Sequence, residues 1–204
     1  EVVQPETGVQ VSLSDSAIDR NKNLQVWHVR TDGTVEQITD FTVEENSVSF
    51  ETDDLATFLV YEVTITTNIM TTDGNTYRVS VSYTQDASVP ENTQLEVREL
   101  AEDEKADYVN QSAAELAIEP DNIRFARAFD ISLLDLDSGA ELEPASGVKV
   151  SIALLDTDIS ETEQLSLLHF GAEVETVDYT LTGNAIEFET DGFSVYVIVD
   201  HAGV

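Results

Sequence analysis

Residues 50–63 read "FETDDLATFLVYEV" and residues 188–201 read "FETDGFSVYVIVDH", so one chain writes the end of a strand, an acidic turn and an apolar strand twice. The match extends outward. "PETGVQVSL" from Pro5 aligns with "PASGVKVSI" from Pro144, "LQVWHV" from Leu24 with "LSLLHF" from Leu165, and "VEQI" from Val35 with "VETV" from Val174. Val9 and Val148 lie 139 residues apart, His28 and His169 141, and Phe50 and Phe188 138, so order and spacing both persist. A repeat of this kind decides architecture before any local pattern does. Residues 64–143 have no counterpart before Pro5. Residues 1–63 are therefore read as the C-terminal half of a preceding repeat, and residues 64–204 as a complete unit.

Within these units the hydrophobic period is two. "VQVSL", "SVSFET", "TYRVSVSY", "QLEVRE" and "FARAFDISLLDL" are short runs rich in Val, Ile, Phe and Tyr. Asp32-Gly33, Asp73-Gly74 and Asp137-Ser138-Gly139 punctuate them with residues that tolerate the positive φ of a hairpin turn. The expected fold class is mainly β: consecutive antiparallel β-sandwich units of immunoglobulin-like type. One segment departs from it. From about Asp103 to Ile118, Ala106, Val109, Ala113 and Leu116 recur at helical spacing, with acidic residues at the start and Pro120 beyond the end. A single helix over 103–118 is expected, covering a sheet edge or one end of a sandwich.

Composition limits the partners. Against 41 Asp and Glu stand 9 Lys and Arg, a net charge of −32, which repels nucleic acid and anionic lipid headgroups over the whole surface. With 41% hydrophobic residues the chain has enough apolar surface to fold, and its longest apolar runs, such as Ser194 to Val199, fall far short of the ~20 residues needed to span a bilayer. No signal peptide is read at Glu1. Cysteine is absent, which removes disulfides and thiolate metal sites and leaves the compartment open.

Candidate chemistry is sparse. His28 and His169 occupy matching places, yet no Ser-His-Asp spacing or HExxH pattern accompanies them. Both are read as packed neutral imidazoles bonded to backbone groups in strands covered on both faces. Asp135, Asp137, Glu141 and Glu143 surround a Gly turn like the start of a calcium loop, but lack its full ligand pattern and are read as a solvated hairpin tip. Lys22, Lys105 and Lys149 are the only lysines, and none is read as the buried nucleophile of an isopeptide crosslink. No catalytic residue, metal or cofactor is expected, and the protein is read as a non-enzyme.

The stretch "RAFDISLLDLDSGAELEP", followed by "GVKVSI", "LSLLHF", "VETV" and "IEFETDGFSVYVIV", resembles the tandem β-sandwich modules of very large cell-wall-anchored surface proteins of gut Firmicutes. The resemblance implies an exported, adhesin-like module, anchored through a region outside this segment. It further implies a monomer within a longer multidomain chain that acts as a stalk and binds a host protein, immunoglobulin among them. "LLHF" also resembles the self-cleaving His-Phe-Ser turn of sandwich domains in ankyrin-type and netrin-receptor-type proteins. Gly171 and Arg30 follow here, so no hydroxyl or thiol stands at the cleavage position. A carbohydrate-binding or carbohydrate-active sandwich, with a glycan as partner, is the alternative, although Trp27 is the only Trp and its strand is read as buried.

Ligand contacts are expected on polar segments specific to the complete unit, residues 85–93 and 102–118. Tyr108 is the expected anchor, with Asp107, Glu104, Asn110 and Gln111 beside it, because Tyr offers a large contact area at low entropy cost. The competing expectation is that Tyr108 packs beneath the helix.

Overall fold

A computed structural model describes residues 4–5, 7–20, 22–156 and 164–201. The outer ends of the two expected units, residues 1–3 and 202–204, lie outside the described residues. The fold is mainly β, with antiparallel sheets and one α-helix among the described residues. No described helix is long and apolar enough to cross a membrane. Two compact units form, Glu1–Thr64 with Ser82–Gln85, and Ile65–Val81 with Asp86–Val204.

The first unit contains β1 (Val9–Ser14), β2 (Leu24–Val29), β3 (Val35–Ile38), β4 (Phe41–Glu44), β5 (Ser47–Thr52) and β6 (Thr57–Glu62). They pair as two antiparallel sheets, β1-β5-β4 and β3-β2-β6. Alternation turns Val26 and His28 of β2 inward and Trp27 outward. The inward residues of both sheets meet in one cluster of Ile18, Leu24, Val26, Val48 and Phe50, with Phe50 tilted on Phe58 at 4.9 Å.

The remaining strands are β7 (Thr64–Met70), β8 (Thr76–Ser82), β9 (Thr93–Glu99), β10 (Ile123–Asp135), β11 (Glu141–Leu142), β12 (Val148–Leu154), β13 (Leu165–Phe170), β14 (Val174–Val177), β15 (Tyr179–Thr182), β16 (Ala185–Thr190) and β17 (Val195–His201). One sheet runs β15-β16-β12-β8-β7, and the other β11-β10-β17-β13-β14 with β9 also on β10. Ring pairs join the two sheets, Tyr77 to Phe129 at 5.1 Å and Phe188 to Tyr196 at 5.0 Å.

The pairing of the first unit recurs in the second. β1-β5-β4 corresponds to β12-β16-β15, and β3-β2-β6 to β14-β13-β17. Register corresponds as well: Val11 faces Phe50 as Val150 faces Phe188, and His28 faces Phe58 as His169 faces Tyr196. A slip of one residue would have turned every inward side chain outward, so matching hydrophobic patterns impose matching registers.

Coverage of the β2 strand differs from expectation. Its inner face is buried, but on the outer face Leu59 is 51% and Tyr61 46% exposed beside the half-buried Trp27. In β13 both faces are covered, with Leu167 and Leu168 fully buried.

The helix α1 (Glu102–Glu115) starts one residue before the expected span and stops three before its end. Its packed face carries Tyr108, Ser112, Ala113 and Leu116, while Ala106 is exposed. Termination is by a Schellman turn: the Ile118 N–H donates to Ala113 O at 2.9 Å and the Ala117 N–H to Ala114 O at 3.2 Å. The turn requires positive φ, and Ala117 supplies it at 54° where glycine would be unstrained. Replacing Ala117 with Gly is expected to raise stability by about 1 kcal/mol, read from the urea midpoint at unchanged m-value.

Candidate functional site

Four of the five expected contact residues come together. Glu104, Asp107, Tyr108 and Gln111 form one wall of an open groove of about 520 Å³, and Phe170 to Val174, the turn between β13 and β14, forms the other. Asn110 is exposed but does not line it. No described side chain of the other expected segment, 85–93, lines this groove. That segment holds a 3-10 turn at Gln85–Ala87 and the first residue of β9.

Tyr108 packs beneath the helix, as the competing expectation has it, and also lines the groove. Its half-buried ring meets Phe170 edge-on at 4.9 Å and 84° and packs on the cluster of Leu168, Val197 and Val199. An aromatic floor thus lies beneath the exposed carboxylates of Asp107 and Glu173. Glu104 is otherwise engaged. Its Oε2 accepts the Ala101 N–H at 3.1 Å and an Arg98 N–H at 2.8 Å, and these two bonds, in that order, hold its carboxyl below the usual range. Ala101 has no side chain to cap α1, so Glu104 reaches back to cap it instead. Glu104 therefore organises the wall, while Asp107 and Gln111 line it as exposed residues.

The histidines are packed as expected but bonded differently. His169 Nδ1 lies 3.0 Å from Glu175, and His28 Nδ1 lies 3.2 Å from Glu36, carboxylates on the neighbouring strand instead of backbone groups. The strand pairing causes this, since His169 stands opposite Glu175 and His28 opposite Glu36. His169 stacks on Tyr196 at 4.5 Å and His28 on Phe58 at 4.6 Å.

The two sites diverge at Nε2. His169 Nε2 lies 2.9 Å from Ser194 Oγ, and that hydroxyl donates to Phe170 O at 2.8 Å. The line Glu175, His169, Ser194 has the contact order of a nucleophile relay, but its hydroxyl proton is committed to a backbone carbonyl. Gly171 closes the ring edge so tightly that an added Cβ would meet His169 Cε1 at 3.1 Å. In the first unit Ala56 occupies the register of Ser194, and the buried His28 Nε2 has no partner among the described residues. Ser194→Ala is expected to cost about 1–3 kcal/mol by orphaning His169 Nε2, and Ala56→Ser to return about 1 kcal/mol to the first unit, both measured by chemical denaturation.

The lysines and the calcium-like turn also have partners. Lys149 pairs with Glu187 at 2.9 Å, Lys22 with Glu62 at 3.2 Å and Lys105 with Glu102 at 2.7 Å. Asp135 accepts the Asp137 N–H at 2.9 Å and the Ser138 hydroxyl at 2.7 Å, so its oxygens serve their own turn.

A polar cluster not singled out by pattern lies between β8, β9 and β10. Arg127 is only 4% exposed in β10, and its guanidinium binds Glu99 and Asp73. It lies 5.0 Å from the Phe125 ring centroid and 5.9 Å from that of Tyr77. The Thr71 hydroxyl, which donates to Asp73 at 2.6 Å, and then Arg127 hold the Asp73 carboxyl well below the usual range. The available signal was a cationic residue inside the apolar run "FARAFDI".

No protein-family model matches the chain, and comparison with curated proteins finds no match either.

Proposed function

We propose that the chain is a non-enzymatic extracellular module of a large cell-wall-anchored surface protein, built from consecutive immunoglobulin-like β-sandwich units. In this reading it serves as a stalk that presents the α1 groove to a host protein, with immunoglobulin the first partner to test. The observation that carries the binding role is the groove itself: an aromatic floor of Tyr108 and Phe170 rimmed by Asp107, Gln111 and Glu173. A partially buried Tyr gives an anchor that is already ordered, which lowers the entropic cost of binding. The acidic rim favours a partner presenting Lys or Arg. The sandwich and repeat reading is supported by the common strand order and register of β1–β6 and β12–β17.

A glycan partner is the second reading, because the groove sets Tyr108 beside Asp107 and Glu173, the pairing of ring and carboxylate that sugar sites use. Capture from host serum and mucus with the purified chain tests both, and a partner retained after enzymatic deglycosylation excludes the glycan. Tyr108→Ala is expected to abolish capture, and Asp107→Lys to weaken it and flatten its dependence on salt. Asp107 is the informative charge, since reversing Glu104 would also uncap α1. Capture unchanged in both variants would remove the groove as the binding surface.

A further inference from the structure

The outer face of sheet β14-β13-β17 is covered in the second unit and bare in the first. Leu168, Val197 and Val199 are each 0% exposed, and Tyr108 of α1 and Leu116, just past its end, pack on the cluster they form. By register, Trp27, Leu59 and Tyr61 hold the equivalent places in β3-β2-β6. Leu59 and Tyr61 are about half exposed there, and Val35, equivalent to Val174, is 56% exposed.

The sheet edges differ in the same sense. β17 pairs with β10 on its far side and β12 with β8, whereas among the described residues the equivalent β6 and β1 end their sheets. A groove of about 430 Å³ opens between those two edges, with Leu13, Ile18, Phe58 and Val60 in its lining. Edge strands carry a row of unpaired N–H and C=O groups, and an apolar face beside them adds a hydrophobic drive to the same addition.

We infer that β1, β6 and the Trp27 face are a docking surface for a segment built like residues 64–143, carried in the same polypeptide on the N-terminal side of β1. One strand of that segment extends β1 as β8 extends β12, a second extends β6 as β10 extends β17, and its amphipathic helix covers Trp27, Leu59 and Tyr61. The chain already makes this interface once: in the second unit β8, α1 and β10 precede β12 and β17 and cover the equivalent edges and face. The inference rests on the strand equivalence of the two units, part of the reading above, and is independent of any binding role for the α1 groove.

The test extends the full chain by writing residues 64–143 a second time, with Glu143 joined to Pro5 at the place Pro144 holds. The added segment brings no Trp, so Trp27 reports the docking face alone. Expected results are a blue shift of Trp27 emission, loss of its quenching by acrylamide, and new hydrogen-exchange protection along β1 and β6. In the extended chain, Leu59→Lys with Tyr61→Lys is expected to restore quenching.

An extension that leaves Trp27 quenchable and the β1 and β6 amides unprotected overturns the inference, whether or not the extension gains helical circular dichroism. Coverage that persists in the double lysine variant, or that depends on protein concentration, also overturns it by placing the segment elsewhere or on a second molecule. Host capture by Tyr108→Ala reads the second unit and Trp27 reads the first, so the two proposals fail separately.

Discussion

Arg127→Ala is expected to destabilise the second unit by about 3–5 kcal/mol, because it takes the guanidinium from the nearly buried Glu99 side chain and leaves it only the Thr72 N–H, which donates to Oε2 at 2.8 Å. The Glu99 side chain is 10% exposed and that of Arg127 5%, so water cannot replace the lost contact without opening the junction of β9 and β10. Paired strands hold the carboxylate in place, since β9 and β10 are in register from Glu99 opposite Phe129 to Thr93 opposite Asp135. Urea unfolding measures the loss. Arg127→Met combined with Glu99→Leu is expected to recover most of it, since removing both buried charges ends the desolvation cost that a lone carboxylate carries. A double variant as unstable as Arg127→Ala would show that packing around the guanidinium, including the Phe125 and Tyr77 rings, outweighs its charge.

Acid titration gives the same cluster a second signature. Asp73 is held low by the Thr71 hydroxyl and then by Arg127. A carboxylate with a depressed folded value contributes stability above its unfolded value and loses it as pH falls through the folded one. The contribution is therefore complete above the ordinary value of 3.8 and fades only at more acid pH. Arg127→Met is expected to move that fading upward, because one of the two main causes is gone.

Contacts within one strand or one turn were legible in the residues, and contacts set by distant segments were not. The doubled stretch at Phe50 and Phe188 marks β5–β6 and β16–β17, and the Asp-Gly pairs mark turns in which Gly33 and Gly74 have φ of 88° and 90°. The groove was half legible. Glu104, Asp107, Tyr108 and Gln111 share a polar helical segment, but their facing wall at Phe170–Val174 is about 60 residues away in sequence and joins them only through sheet packing. Asp73 comes from the turn between β7 and β8, Glu99 from β9 and Arg127 from β10, so no window of sequence contains the cluster. The end of α1 was misjudged because Ala117 is a good helix former by propensity, and the left-handed turn there is closed by hydrogen bonds to Ala113 and Ala114. Trp27 was read as buried from the apolar character of its own strand, although burial of an outer face depends on whether another element lies across it.

Tyr196 carries the second large effect, and alkaline pH exposes it. The residue is fully buried on β17, stacked on His169, with its hydroxyl 2.7 Å from Thr190 Oγ1 and donating to Gly192 O at 2.7 Å. Burial pushes its phenol up from 10.0 to about 12. A group with a raised folded value contributes stability that is whole below the unfolded value and is lost as pH rises through the folded one, so the loss falls between pH 10 and about 12. Over those two units the loss is roughly 2–3 kcal/mol. Tyr196→Phe is expected to cost about 1 kcal/mol at neutral pH by removing the hydroxyl's bonds, and to flatten that alkaline slope. Tyr196→Ala is expected to cost about 3–5 kcal/mol below pH 10, since it also empties the space beneath His169 and Phe188, and its deficit against the wild type narrows as pH rises toward about 12. The first unit supplies the natural comparison, because Phe58 takes the place of Tyr196 there and makes the same ring contacts to His28 and Phe50 without a phenol. Stability measured against pH by urea unfolding therefore decides the matter: an alkaline slope that survives in Tyr196→Phe would assign it to other phenols, of which Tyr77, also raised by burial, is the first to replace.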